Sequence, residues 1–477
     1  MKNKIWKKIL VFTVAIIFLS LSMGPTINAR INDDYNINIS SKPLDSRDSI
    51  YKLLIITPDN FFTAIKPLLQ HKIKYGIPTR VMRLSDVYDQ MYWYGRDEAE
   101  KIKYFIKFAI EEWGIQYVLL VGGKKGQLPY WHLPVRYVNM DEGWEPHYIS
   151  DLYFADIYDS KGDFSSWDSD NDGEFGEWLI KEEAEDEYLD LYPDIAVGRL
   201  PCRNKFELKK MVNKIIDYET TTYDRLWFND MLVIAGDTYP ESHNPNWTGY
   251  EGEYYAELAL ENMSGFTPIK LFTSDGTLSG QKDVIKALSM GCGFVYFVGH
   301  GNPQLWGNHP PDDSSFIQGL SVRNMHKLRN NHMYPVCVVS GCHNSQFDVS
   351  ILNYLNRLAW YRGEATYECW GWRMTRKIGG GSIATIGCTA LGYTKEDKDS
   401  FKGGLNEIEV EFFREYGQNN IDILGDTWVA AVASYLDKYP IDWQNSEDKD
   451  SWIDTKVVQS WALFGDPSLQ IGGYPPI

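Results

Sequence analysis

The sequence has no C-x-x-C pair and no cysteine/histidine spacing of the kind that holds zinc, and no G-x-G-x-x-G follows its apolar runs. Those absences remove a zinc site and a nucleotide-binding turn from consideration. Cysteine is sparse. Six residues (Cys202, Cys292, Cys337, Cys342, Cys369 and Cys388) in a chain of 477 are too few for a disulfide scaffold. Positive charge is also short: 47 Lys and Arg face 65 Asp and Glu, for a net charge of −18. Phosphate binding needs a basic surface, so nucleic acid is excluded as a partner. Solenoid repeats are absent, and no apolar run beyond the N-terminal region is long enough to span a bilayer. What is present is ordinary globular composition, 44% apolar and 23% charged, in a length that suits two or three domains. The 17 Trp and 31 Tyr point first to large aromatic cores.

Residues 1–29 read as a secretory signal. Lys2, Lys4, Lys7 and Lys8 precede an apolar stretch from Ile9 to Met23, and Ala29 offers a small residue for cleavage. An uncleaved anchor is the alternative. Cleavage would leave a still more acidic, exported chain. Residues 30–50 are polar and read as irregular.

From residue 51 onward, strand-like and helix-like segments alternate, which predicts α/β units with mostly parallel sheets flanked by helices. The first unit, 51–222, contains strand-like Lys52–Thr57 and Tyr117–Val121, and helix-like Asp97–Glu112 and Lys205–Thr221. Asp97 is a candidate N-cap. The second unit, 223–477, has strand-like Met231–Ala235, Ile269–Phe272, Phe294–Val298, Val336–Val339 and Ile383–Ile386. Helix-like stretches there are Glu253–Met263, Gln281–Met290, Ser321–Leu328, Glu368–Ile378, Leu405–Tyr416 and Thr427–Leu436.

An acidic insertion interrupts the first unit. Asp168 to Asp190 holds eleven acidic residues and one lysine. Asp168, Asp170 and Asp172, followed by Gly173, match the first half of a calcium loop. Position twelve is Leu179, where a bidentate glutamate is needed, so the EF-hand pattern fails; Glu174 or Glu177 could supply a ligand in another loop. Structural calcium and a solvated acidic turn are the two readings. No organic cofactor is expected.

Three strands of the second unit end on polar groups that suit one reaction. Ile234-Ala235-Gly236 leads to Asp237, Val298-Gly299 to His300-Gly301, and Ser340-Gly341 to Cys342. Ligands of open α/β sheets sit beyond the carboxyl ends of the strands. Cys342 is the candidate nucleophile and His300 the base that deprotonates it and later protonates the leaving amine. Asp237 could hold the imidazole from behind. The amides of Gly301 and Cys342 are candidates for the oxyanion hole. Cys292 and Cys337 lie in apolar runs and read as buried, inert thiols.

With these residues in place, the chain resembles the gingipain-type cysteine peptidases of the caspase-like clan from about Tyr51 to Ile471. The resemblance is carried by Val298-Gly299-His300-Gly301 with Trp306 shortly after, and by the apolar run into Cys342 with Phe347 behind it. It is carried too by Asp151-Leu152-Tyr153-Phe154, the acidic loop, Val197-Gly198-Arg199-Leu200-Pro201 and the ending Trp461 to Leu469. It implies two caspase-like (flavodoxin-like) units, with Cys342 as nucleophile, His300 as acid/base, Asp237 as the carboxylate behind the histidine, and the Gly301 amide in the oxyanion hole. It also implies bound calcium. The chain departs from the family in having Asp237 where better-known members have Glu, and in having His343 after the nucleophile, read here as an exposed neighbour. Two further departures are expected: the immunoglobulin-like domain that follows the catalytic unit in gingipains, and a long pro-region before it, are not expected here.

These readings predict a secreted cysteine endopeptidase acting on a protein or peptide substrate. Family members that cleave after Arg or Lys imply a carboxylate near the substrate's basic side chain. Glu241, Glu251 and Glu253 follow Asp237, and Trp306 follows His300; these are the candidate substrate-binding residues. A transpeptidase of the same family and a silent, calcium-dependent binding module are the alternatives. Oligomeric state has no signature in the sequence.

Overall fold

The computed structural model describes residues 50–140, 143–179, 184–186, 189–241, 249–394, 403–444 and 449–476. The segment read as a secretory signal and the stretch read as irregular, up to residue 49, lie outside these residues.

Fifteen strands form among the described residues. They are β1 (Leu53–Thr57), β2 (Thr79–Arg83), β3 (Tyr117–Val121), β4 (Tyr137–Val138), β5 (Tyr148–Ile149), β6 (Ala196–Leu200), β7 (Asp230–Ala235), β8 (Thr267–Phe272), β9 (Phe294–Phe297), β10 (His300–Asn302), β11 (Leu305–Asn308), β12 (Ile317–Ser321), β13 (Val336–Val339), β14 (Ala384–Cys388) and β15 (Trp461–Phe464). Ten of them make one sheet in the order β2-β1-β3-β6-β15-β14-β13-β9-β7-β8. The two α/β runs expected as separate sheets are therefore joined, and the described residues form one compact unit. The last strand causes this. β15 pairs antiparallel with β14 and parallel with β6, so the halves run in opposite directions and meet at one seam. A single register pair, Phe464 with Arg199, links β15 to β6.

The strands read as unbroken apolar runs because both sheet faces are covered. Alternate residues go to different cores. Met231, Val233, Phe294, Tyr296, Val336 and Val338 join the larger one, whereas Leu232, Ile234, Val295, Phe297, Cys337 and Val339 join a second. The helices at 251–262 and 405–417 pack into the first, through Tyr255, Ala259, Phe412 and Phe413. Those at 281–289 and 370–376 close the second, through Val284, Leu288, Trp370 and Met374. Asp97 caps its helix by accepting from the Glu100 amide at 2.8 Å.

One expected helix is not there. Ser321–Leu328 is the end of β12, then a short 3-10 turn at Met325–Lys327. The chain is used instead in a small antiparallel sheet, β10-β11-β12, where Leu320 pairs with Trp306. That sheet carries His300.

The C-terminal Gly465-Asp466-Pro467-Ser468 stretch is held by a buried ion cluster. The Lys72 ammonium lies 2.7 Å from Glu219 and 3.0 Å from Asp466, all with no side-chain exposure, and it also donates to the Ser468 carbonyl at 3.0 Å. Burial alone would lower the Lys72 pKa; the charges of Asp466 and Glu219 outweigh it and hold the group protonated. Lys72→Met leaves two carboxylates buried without their cation. It is expected to destabilise the fold by about 3–5 kcal/mol, read from the midpoint of chemical denaturation. A change below about 1 kcal/mol would show that the cluster relaxes without cost.

Candidate active site

β13, β9 and β7 are neighbours, all parallel, and their registers align: Val339 pairs with Phe297 and Ile234 pairs with Phe297. Three residues beyond that row come Cys342, His300 and Asp237. The sheet thus delivers all three to one rim, with the histidine strand in the middle.

Local contacts tighten the placement. A Cβ on Gly341 would lie 2.8 Å from the Gly301 nitrogen and 3.0 Å from its Cα, so the backbones beside the cysteine and the histidine touch. Gly341 also has φ +144, a conformation that favours glycine. Asn344 locks the contact. It is fully buried and its Nδ2 donates to the carbonyls of Asn302 (2.9 Å) and Leu305 (3.1 Å) in the histidine hairpin. A Cβ on Gly301 would come within 2.2 Å of Asn344 Oδ1. Trp306 adds a second tie: its Nε1 donates to the Ser340 carbonyl at 3.0 Å.

The His300 Nε2 lies 2.7 Å from the Thr238 carbonyl. A carbonyl only accepts, so Nε2 carries the proton and Nδ1 the basic lone pair of the neutral ring. Thr238 is itself pinned, since Asn308 Nδ2 donates to its hydroxyl (3.2 Å) and to the Val298 carbonyl (2.9 Å).

Cys342 is partly exposed, yet its thiol is pushed up by burial. The Gly392 amide, 3.4 Å from Sγ, opposes that shift, and Glu145 adds to it. Burial thus favours the neutral thiol over the thiolate. It needs a base to become a nucleophile, and the imidazole on the neighbouring strand can supply one. The other five cysteines are buried and unbridged, as read for Cys292 and Cys337.

Several expected residues stand elsewhere. Asp237 is fully buried, but its carboxylate accepts from the Asp312 amide at 2.8 Å and faces Glu251; the partner at the histidine's Nε2 is the Thr238 carbonyl. The Asp237 backbone is bridged to His309. Trp306 is fully buried against Phe297, so it braces the site from beneath and touches no solvent. Glu253 is buried too, its carboxylate taken by the amide (3.0 Å) and hydroxyl of Ser274. Glu241 is exposed. His343 is not an exposed neighbour: it is buried, 3.4 Å from Glu145, which in turn pairs with the buried Lys456 at 3.1 Å.

Glu251, which faces Asp237, titrates near neutrality. Burial, then the Asp237 charge, raise it from 4.5 to about 7 against the pull of the Tyr239 amide. A raised carboxyl makes the fold hold a proton that the unfolded chain has released. Its contribution to stability is full below pH 4.5 and is lost as pH rises through 7. The melting-temperature difference between Glu251→Gln and wild type is thus expected to move in the variant's favour across that window. A constant difference would contradict the shift.

In the acidic loop, oxygens of Asp168, Asp170 and Asp186 all lie within 4.8 Å of one another. Asp172, Glu174 and Glu177 are not in this group, and Asp186 was not foreseen. Asp172 is turned to the Glu174 amide at 2.7 Å. Asp168 also takes the Arg96 guanidinium and the Asp172 and Gly173 amides. Burial and carboxylate crowding raise Glu177 to about 7 and burial raises Asp186 to about 6.

Comparison with known proteins places the chain in a family. The family model for Peptidase family C25 matches residues 46–472. The chain belongs to peptidase family C25. Gingipain R2 of Porphyromonas gingivalis is 23% identical over 430 residues, covering 88% of this chain and 46% of its own length. The chain therefore spans less than half of that relative. An uncharacterized protein of Archaeoglobus fulgidus is 26% identical over 278 residues, 55% of this chain and 64% of its own length. Among solved structures, the Arg-specific cysteine proteinase gingipain R superposes with a TM-score of 0.60 at 21% identity, covering 90% of this chain and 80% of that one. The C25 fold is thus shown, and it is the caspase-like, mostly parallel sheet expected.

Thr238, Asn344 and Gly392 escaped the sequence reading. Thr238 and Gly392 act through backbone atoms, which leave no residue signature. Asn344, two residues past Cys342, acts through its side chain and is the one of the three that the sequence could have shown.

Proposed function

We propose that this C25 chain is an exported cysteine endopeptidase. The observation that carries the reading is the shared row beyond Val339 and Phe297, which sets Cys342 beside His300 across touching glycines. In this reading the substrate carbonyl sits over Cys342. His300 takes the thiol proton through Nδ1, with its ring held by the Thr238 carbonyl, and the sulfur attacks the carbonyl carbon. The amides of Gly301 and Cys342 receive the oxyanion. His300 returns the proton to the leaving amine, and water then cleaves the thioester.

Selection of a basic side chain before the scissile bond rests on Glu251 and Glu241, together with the Arg specificity of gingipain R. Export rests on the basic and apolar N-terminal segment; among the described residues no helix is long and apolar enough to cross a membrane. Unfolded casein and short fluorogenic peptides with Arg, Lys, Leu or Asp before the bond test the reading. Cleavage is expected, fastest after a basic residue. No turnover across neutral pH, with or without calcium, would refute it.

Calcium is proposed as a structural ion held by Asp168, Asp170 and Asp186, whose converging oxygens suit a hard cation. Excess calcium over chelator is expected to raise the melting temperature by several degrees, as for about 2.7 kcal/mol at a hundredfold excess over Kd. Asp170→Asn is expected to abolish the shift. Equal melting with calcium and with chelator would remove the ion.

A further inference from the structure

A short insertion after the nucleophile loop carries apolar side chains that nothing in the described chain covers. It comprises a 3-10 turn, Ile351–Leu355, and a helical turn, Arg357–Tyr361. Leu355 is 94% exposed, Tyr361 73%, Tyr354 70% and Trp360 56%, with Leu352 and Leu358 also exposed. Only Ala359 of the helical turn is buried. These side chains are not on a slack loop. Ser350 caps the first turn through the Leu352 amide, and Asn356 caps the second through the amides of Leu358 and Ala359. Gln127 bonds the insertion to a second exposed apolar loop, accepting from the Ile351 amide at 2.7 Å; that loop presents Leu128 and Tyr130.

The patch is continuous with the candidate active site. Gly363, at its end, packs on Asn302, where a Cβ would be 2.9 Å from the Asn302 side chain. Gln304 Nε2 donates to the Gly363 carbonyl at 3.0 Å, and Arg362 lies over the Trp144 ring, next to the Glu145 that faces Cys342. Asn302 and Gln304 belong to the hairpin that carries His300. A large apolar surface left open against a reactive centre marks a binding region. Its charge is also local: Ser350 to Gly363 contains Arg357 and Arg362 and no carboxylate, in a chain with net charge −18.

We infer that this insertion is an exosite for the substrate polypeptide, taking an unfolded stretch rich in apolar side chains and carrying acidic rather than basic charge. Extended chain is the form that can enter the catalytic rim and lay further residues on the patch at once. The inference deepens the endopeptidase reading and rests on it. It predicts that protein substrates gain from the patch, whereas short peptides, which end before reaching it, do not.

The test separates binding from chemistry. In the Cys342→Ala background, fluorescence anisotropy follows binding of labelled, reduced and carboxymethylated α-lactalbumin. Adding Leu355→Ser with Trp360→Ser is expected to weaken that binding by about tenfold or more. With Cys342 intact, the same pair is expected to lower kcat/KM for the unfolded protein and leave it unchanged for a short fluorogenic peptide. If the intact enzyme cleaves nothing, the endopeptidase reading fails while the binding experiment still decides the exosite. Unchanged binding overturns the exosite. So does loss of binding to phosphatidylserine vesicles with polypeptide binding intact, which would assign the patch to a membrane surface. Dissociation of a wild-type dimer by the pair would assign it to a second copy. Should the pair fail to fold by thermal melting, Tyr361→Ser alone carries the test.

Discussion

Cys342→Ala is expected to lower kcat/KM for peptide hydrolysis by about 10⁴-fold or more with the fold intact. The thiol's hydrogen bonds are long and confined to the Gly392 amide and carbonyl, so its removal costs little structure. What it removes is the only partly exposed cysteine on the rim; the other five are buried. His300→Ala is expected to match it, and the double variant to be no worse than either alone, because a neutral thiol and its base act as one unit. Asp237→Asn separates two views of the site. With the imidazole held by the Thr238 carbonyl at 2.7 Å, this variant is expected to cost tenfold or less, an upper bound set well below the roughly 10⁴-fold loss that follows when a triad carboxylate is replaced. A 10⁴-fold loss there would put the Asp237 carboxylate on the histidine after all.

The second large effect is expected from a position with no side chain. Gly301→Ala would place a methyl 2.2 Å from Asn344 Oδ1, well inside contact distance. Because Asn344 is fully buried and bonded to two carbonyls of the same hairpin, the misfit must be relieved by moving β10. That displaces His300 and the Gly301 amide together. A shift of about 1 Å in such a site costs about 10²-fold in rate, so kcat/KM is expected to fall by about that much. Adding Asn344→Ala removes the clash and is expected to restore part of the activity, a sign of coupling that two unrelated defects would not show. A Gly301→Ala variant within twofold of wild type would mean that hairpin and nucleophile loop are not packed as described.

The strands and their reactive ends were legible because each is covered on both faces and so is apolar throughout. Phe294–Phe297 and Val336–Val339 announce themselves without any partner being known. A common rim for Asp237, His300 and Cys342 followed from the same fact; the neighbours and registers that set them in one row come from the structure. The joining of the halves was not legible. β15 is four apolar residues, and nothing in Trp461–Phe464 says that it runs against β14 and along β6. Ser321–Leu328 was misread as a helix because its apolar spacing suits one, while the pairing of Leu320 with Trp306 decides otherwise. Side-chain direction was the hardest to see. Asp237 arrives at the right row yet turns to the Asp312 amide, and Trp306 and Glu253 turn inward to the Ser340 carbonyl and to Ser274. The patch at Leu355 and Trp360 went unread because exposure is a property of the fold.

Labelling of the intact protein by a peptidyl chloromethyl ketone, followed by peptide mass analysis, bears most directly on the pairing of Cys342 with His300. One adduct is expected, on Cys342, forming much more slowly in His300→Ala. An adduct on another cysteine, or equal labelling rates in the two proteins, would show that the sulfur and the imidazole do not act together.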